Sequence, residues 1–245
     1  MDSQFFRIQT YKLSEVRGVI SEATRVKSYC KHVLDPKPPI PIFEWLFGLL
    51  EAPRLLRQLI KYSSAKRMRK TAHNRQVFAS GTCSFPKPWL LIENSPILKE
   101  YEDWKSECLH FLKTEYGSDL FHVLEHRDER YAHLHFFVMP KLKPDGTICL
   151  TAHPGRYSNE LNWKINPSVK REKYKQAMRD LLTRFYQFVS SKFGFSRNSE
   201  KMRKRVSRQK WEDELREISD KKILNLLGYN FNKQKCNVTL HPRPH

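Results

Sequence analysis

The chain has 245 residues and carries 45 Lys and Arg against 26 Asp and Glu, a net charge of +19. Such a length buries a full core and suits one domain with an appendage, and the charge makes a polyanion the leading partner, nucleic acid ahead of membrane. Five scattered cysteines form neither a disulfide framework nor a CxxC knuckle, and the N-terminus lacks signal-peptide order; both fit a cytoplasmic protein.

In chain order, Phe5 to Tyr11 reads as a first strand. Ser14 is a suitable N-cap for a helix running to about His32. Asp35 to Pro41, rich in proline, reads as a stiff connector. Ile40 to Leu50 is the most apolar stretch. It falls short of the ~20 residues that cross a bilayer, so a buried or interface helix is expected, with helical chain to about Tyr62 and no membrane contact. From Ala52 to Ile92 there is no acidic residue and there are nine basic ones. Lys66, Arg67, Arg69 and Lys70 form its centre, a pattern suited to phosphate contact.

Gln76 to Ser84 reads as a second strand. Pro96 to Tyr116 is an amphipathic helix with Ile97, Tyr101, Trp104, Cys108, Phe111 and Leu112 at helical spacing, expected in the core. Two strands around His126 and His133 follow, then a turn at Pro144-Asp145-Gly146. Val169 to Phe193 is a second long helix, stopped by Gly194. Beyond Arg197 the chain is strongly basic, with Arg203 and Arg205 among its cations, and a short helix is expected near Ile223 to Leu227. The sum is an α+β fold: a central, mostly antiparallel sheet with long helices packed on one face. Residues 1–195 read as the main folded domain and 196–245 as a basic helical extension.

The segment His126 to Pro140 is the richest in chemistry. Three histidines and two carboxylates fall within ten residues. His133 and His135, two apart in a strand, project to one face. A polar turn from Arg127 to Arg130 folds this strand back on Leu120–His126 and brings His126 beside them. Isolated histidines such as His110 and His122 are ordinary packing residues. Three adjacent imidazoles are unfavourable to bury unless something binds them, and a divalent metal suits imidazole.

His126-Arg127-Asp128-Glu129, followed by His133-x-His135 and Pro140, resembles the signature of the MobV-type relaxases, the Mob/Pre plasmid mobilisation and recombination enzymes. The flanks are similar too: Trp104 to Gly117, Asp145-Gly146, Arg7 with Gln9, and Gln176 to Phe195. The resemblance covers most of residues 1–195 and is strongest from His126 to Gly146. It implies an HUH endonuclease fold and Mn²⁺ or Mg²⁺ on His126, His133 and His135. It also implies transesterification on single-stranded DNA at the origin of a supercoiled plasmid, with Asp128 or Glu129 orienting an imidazole or assisting proton transfer. Arg7, the Lys66–Lys70 cluster, Arg203 and Arg205 are the expected DNA contacts.

One position departs from the family. Arg25 matches its N-terminal arginine, but Glu22 stands where the catalytic histidine is expected. On a continuous helix Glu22, Arg25 and Tyr29 share a face. That arrangement makes Arg25 a phosphate holder, Glu22 an orienting or deprotonating group and Tyr29 the attacking group, with His32 and Glu22 itself as alternatives. The rival functions are a metallonuclease or replication initiator of the same fold and a DNA-binding remnant. A histidine-triad hydrolase is excluded in practice, since Phe137 stands at its third histidine.

Overall fold

The computed structural model describes residues 2–44, 46–63, 76–162 and 164–198, all within the compact unit Met1–Glu200. Lys66, Arg67, Arg69, Lys70, Arg203, Arg205 and the helix expected near Ile223 lie outside the described residues.

A five-stranded antiparallel sheet forms the centre: β1 (Phe5–Lys12), β2 (Ile40–Glu44), β3 (Gln76–Pro88), β4 (Leu120–His126) and β5 (Tyr131–Val138). The strand order is β1-β3-β5-β4-β2. The central pair is the histidine hairpin, which sets His126 opposite His133 and Leu124 opposite His135. A small hairpin, β6 (Lys141–Leu142) with β7 (Ile148–Cys149), surrounds the expected turn, where Gly146 takes a positive φ of 75°. The helices are α1 (Leu13–Ala23), α2 (Ala52–Tyr62), α3 (Ile97–Tyr116), α4 (Pro154–Leu161) and α5 (Pro167–Phe188).

Side-chain alternation splits the sheet into two faces. On one, Phe6, Ile8, Cys83, Phe85, Leu134 and Phe136 meet Tyr101, Trp104, Phe111 and Leu112 of α3 and Leu181 and Phe185 of α5. Phe85 meets Tyr101 and Trp104 edge-on at 5.4 and 5.3 Å, the arrangement aromatic quadrupoles favour. Gly81 admits Phe136 so closely that a Cβ there would lie 2.2 Å from the ring. On the other face, Phe78, Phe121, Leu124 and Phe137 pack beneath Val16 and Ile20 of α1 and Leu56 of α2. The helices therefore cover both faces rather than the one expected, because α1 and α2 carry their own apolar stripes.

Several boundaries differ from the sequence reading. Helix α1 begins at Leu13, with Lys12 as N-cap in place of Ser14; the Lys12 amide donates to Glu15 Oε2 at 2.7 Å. It ends at Ala23, well before His32. Arg25 adopts φ 61°, its amide donates to Glu22 O and the Val26 amide to Ser21 O. These two bonds form a Schellman stop with arginine where glycine is usual. Glu22, Arg25 and Tyr29 therefore do not share a helical face. Ile40–Glu44 is an edge strand on β4, not a helix, and α2 starts only at Ala52. Helix α5 spans Pro167–Phe188, and a short 3-10 turn carries the chain to Phe193; Gly194 is left-handed, as expected for the stop. Ser196 bonds back to the chain beside β1. Among the described residues no helix is long and apolar enough to cross a membrane.

Candidate metal and phosphate site

The hairpin places the three histidines on the α1 face, beside the C-terminal end of that helix. The His126 ring lies 4.9 Å from that of His133 and 5.8 Å from that of His135, centroid to centroid. His126 Nδ1 and His133 Nε2 stand 3.0 Å apart. The other nitrogen of each ring has a backbone partner: His126 Nε2 lies 2.9 Å from Ala23 O, and His133 Nδ1 lies 3.0 Å from Tyr131 O. A carbonyl only accepts, so Nε2–H of His126 and Nδ1–H of His133 must donate. In the neutral rings the two facing nitrogens are then both bare lone pairs.

The rings are held neutral. Burial, then the charges of His133 and Arg25, push His126 down to about 3. Burial also lowers His133, against the pull of Glu129. His135 sits well below the ordinary histidine value, again through burial first and then its histidine neighbours. Its Nε2 shares a 2.7 Å hydrogen bond with Ser80 Oγ, and its ring stacks on Phe137 at 4.7 Å.

The turn supplies the carboxylates. Asp128 is buried, accepts from Arg25 Nη2 at 2.6 Å and from the Lys37 amide at 3.1 Å. Glu129 accepts from Arg25 Nη2 at 2.8 Å; its Oε1 lies 3.8 Å from His133 Nε2 and also 3.8 Å from His32 Nε2. His32 Nε2 is equally 3.8 Å from Glu22 Oε1. Arg25 thus ties the end of α1 to the hairpin turn. Burial disfavours its charge, but the bonds to Asp128 and Glu129 outweigh that and raise its pKa. Its Nε is buried without a hydrogen-bond partner.

From behind, the turn is braced by a second polar cluster. The buried Glu125 accepts from Tyr101 Oη at 2.6 Å, from Lys105 Nζ at 3.2 Å and from Arg127 Nε. The Arg127 guanidinium lies 4.8 Å over the Trp89 ring.

The donor set fits a divalent ion. One atom each from His126, Glu129 and His133 lie within 4.8 Å of one another, both imidazoles are neutral, and both use the outer N–H to hold a carbonyl, the support that ligand histidines ordinarily have. His135 stands beside this set with Ser80 on its Nε2. Tyr29 is half exposed, with its ring against Gly18 of α1. Arg7 projects from β1 on the same sheet face as the histidines. His122 is a packing residue as expected, its Nε2 2.7 Å from Phe47 O. The sequence reading missed Ser80, the Ala23 carbonyl and the Lys37 amide. Ser80 is the diagonal cross-strand neighbour of His135, visible only once the β3–β5 register is known.

Neither a protein-family model nor a curated protein matches this chain. The fold, however, is shared with solved structures. Solved structures that it resembles are those of the MobM relaxase domain (MOBV; Mob_Pre) bound to plasmid pMV158 oriT DNA, with manganese. A complex with 23 nucleotides superposes with a TM-score of 0.54 at 14% identity over 87% of this chain and 98% of that one. A complex with 22 nucleotides and a 3′-thiophosphate gives 0.52 at 13% identity over 87% and 99%.

Proposed function

We propose that the chain is a divalent-metal-dependent endonuclease and transesterase for single-stranded DNA, a relaxase that nicks plasmid origin DNA for mobilisation or recombination. The observation that carries this reading is the pair of bare imidazole nitrogens, His126 Nδ1 and His133 Nε2, facing each other beside the Glu129 carboxylate. Two lone pairs at that separation repel unless a cation lies between them. The shared fold with MobM, solved with oriT DNA and Mn²⁺, supports the same assignment.

His126, His133 and Glu129 would hold the ion, Mn²⁺ or Mg²⁺, with His135, whose Nε2 bonds to Ser80 Oγ, as the further candidate ligand. Such an ion would supply charge neutralisation for the phosphate when bound. Asp128, fixed by Arg25 and Lys37, holds the turn. A side chain attacks phosphorus, the bond to O3′ breaks, the 5′-phosphate stays on the protein and O3′ leaves with a proton. The position of His32 Nε2 beside Glu22 and Glu129 supports His32 as the attacking group: its bare ring nitrogen would bond to phosphorus, the carboxylates would orient the ring, and the proton on its other nitrogen would be the one lost to O3′. Tyr29 is the competing nucleophile. Arg25 holds the carboxylates first, and its unpartnered Nε supports a further contact with phosphate.

A second reading, hydrolysis by water on the same fold, draws on Glu22 standing where the family's histidine is expected. One experiment separates the readings. Supercoiled plasmid carrying the origin, or an end-labelled origin oligonucleotide, is incubated with the protein and Mn²⁺ or EDTA. The relaxase reading expects Mn²⁺-dependent nicking and a covalent adduct, abolished in His32→Ala and kept in Tyr29→Phe. The reverse pattern assigns the attack to Tyr29. Nicking without any adduct means hydrolysis, and no nicking with any metal leaves a DNA-binding remnant.

A further inference from the structure

The His126–His133 pair is walled on its β4 side. The Ala23 carbonyl, Arg25 and the Lys37 amide all close on His126, Asp128 and the turn. At the α1 end, Phe78, Phe137 and Leu124 fill the layer under Val16 and Ile20. The remaining direction is across the sheet towards β1, where Phe5 and Arg7 are exposed and Thr82 and Ser84 partly exposed. Cross-strand register sets Phe5 opposite Ser84, and Ser84 opposite His133; one row further, Arg7 is opposite Thr82, and Thr82 opposite His135. The residues that alternate with these, Phe6, Ile8, Cys83 and Leu134, are buried on the far face, so these two rows lie on the histidine face.

This strip has the chemistry of a strand path. Its floor is Thr82 and Ser84, short hydroxyl side chains that are partly exposed. At its outer edge Phe5 is 48% exposed, an aromatic ring in solvent on an edge strand. Beside it Arg7 is exposed, and among the described residues its side chain makes no hydrogen bond or ion pair. Many other cations of the fold are paired, such as Arg25, Lys87, Arg127 and Arg184. A free guanidinium next to a free ring, about two strand spacings of ~4.8 Å each from the histidines, combines phosphate attraction with base stacking, the two elements of sequence-tolerant single-strand binding.

We infer that single-stranded DNA enters the site from the β1 edge, with a base on Phe5, a phosphate on Arg7 and the chain lying over Thr82 and Ser84. This rests on the nuclease reading and adds the direction from which the substrate strand reaches the histidines.

The test measures binding of a short fluorescein-labelled single-stranded oligonucleotide to the full chain, in EDTA and in Mn²⁺, across a range of salt. Arg7→Ala should flatten the log–log salt dependence by about 0.7, the effect of leaving one phosphate unneutralised. Phe5→Ala should weaken binding roughly 5- to 150-fold, the effect of removing one base–aromatic stack. Both variants should bind Mn²⁺ as the parent does. Phe5→Trp should keep affinity, and its added indole fluorescence should be quenched by the oligonucleotide. Parent-like affinity and slope in both alanine variants, or unquenched F5W, would overturn the path alone. A parent that binds no oligonucleotide would overturn the path together with the nuclease reading.

Discussion

His126 Nδ1 faces His133 Nε2 at 3.0 Å, and the carbonyls of Ala23 and Tyr131 take the N–H of each ring. The arrangement is a lone-pair clash that a cation resolves. Calorimetric titration with Mn²⁺ should show one site. His133→Ala should lower its affinity by ~100-fold or more, since even residues that only support ligands cost 10–100-fold. Glu129→Gln should lower it as well. An affinity in H133A equal to the parent's would remove the ion from this pair.

Arg25 has two opposed effects on stability. Its left-handed backbone costs about 1–2 kcal/mol in a non-glycine residue, while its bond to the buried Asp128 and its contact with Glu129 join α1 to the hairpin. Arg25→Ala should destabilise by about 3–5 kcal/mol, the usual effect of breaking a buried pair. Arg25→Gly should destabilise by about 1 kcal/mol less, because glycine accepts the positive φ. Urea denaturation of the metal-free protein measures both; a glycine variant worse than alanine would contradict the assignment of strain.

In the metal-free protein, burial holds His126 down to about 3 and His153 down to about 4. The unfolded chain takes up protons at these positions below pH ~6.5 while the native state does not. Stability is therefore full above that pH and declines as pH falls from 6.5 towards 4. His153 lies outside the metal site and caps α4, its Nδ1 accepting from the Arg156 amide at 3.2 Å. His153→Asn keeps an N-cap acceptor and removes the titration. Its stability should decline less steeply, by up to about 1.4 kcal/mol per pH unit in that window. Denaturation curves in EDTA across the range decide this.

The acid-free basic stretch bears on DNA affinity. Neutralising Lys66, Arg67, Arg69 and Lys70 together should reduce the salt slope of single-strand binding by up to about 0.7 for each phosphate that no longer meets a cation. An unchanged slope would shift the phosphate grip to Arg203, Arg205 and their neighbours.

The histidine hairpin was legible because period-two alternation and a short polar turn fix a register with little freedom. The α3 stripe was legible for the same reason at helical period: Tyr101, Trp104, Cys108, Phe111 and Leu112 are all buried. The stop of α1 was not, because its left-handed residue is Arg25, and the contact that favours it comes from Asp128, far along the chain. Strand β2 was missed since Ile40 to Leu50 is apolar without a clear period, and its partner β4 decides its state. The bare nitrogens were also invisible, since they follow from which carbonyls lie behind the rings. That depends on where α1 ends.

The Arg25 pairing also sets the electrostatic balance of the site. Among the described residues, Asp128 and Glu129 share the Arg25 guanidinium, and Glu22 and Glu129 flank the His32 ring. A chain of net charge +19 thus gathers carboxylates beside its histidine cluster, the mixed donor chemistry that suits a divalent ion. In the relaxase reading, these carboxylates would oppose a phosphate at this spot while the overall charge of the chain would attract it. A divalent ion held there would offset them, so metal occupancy would govern where the strand can sit as well as supply chemistry.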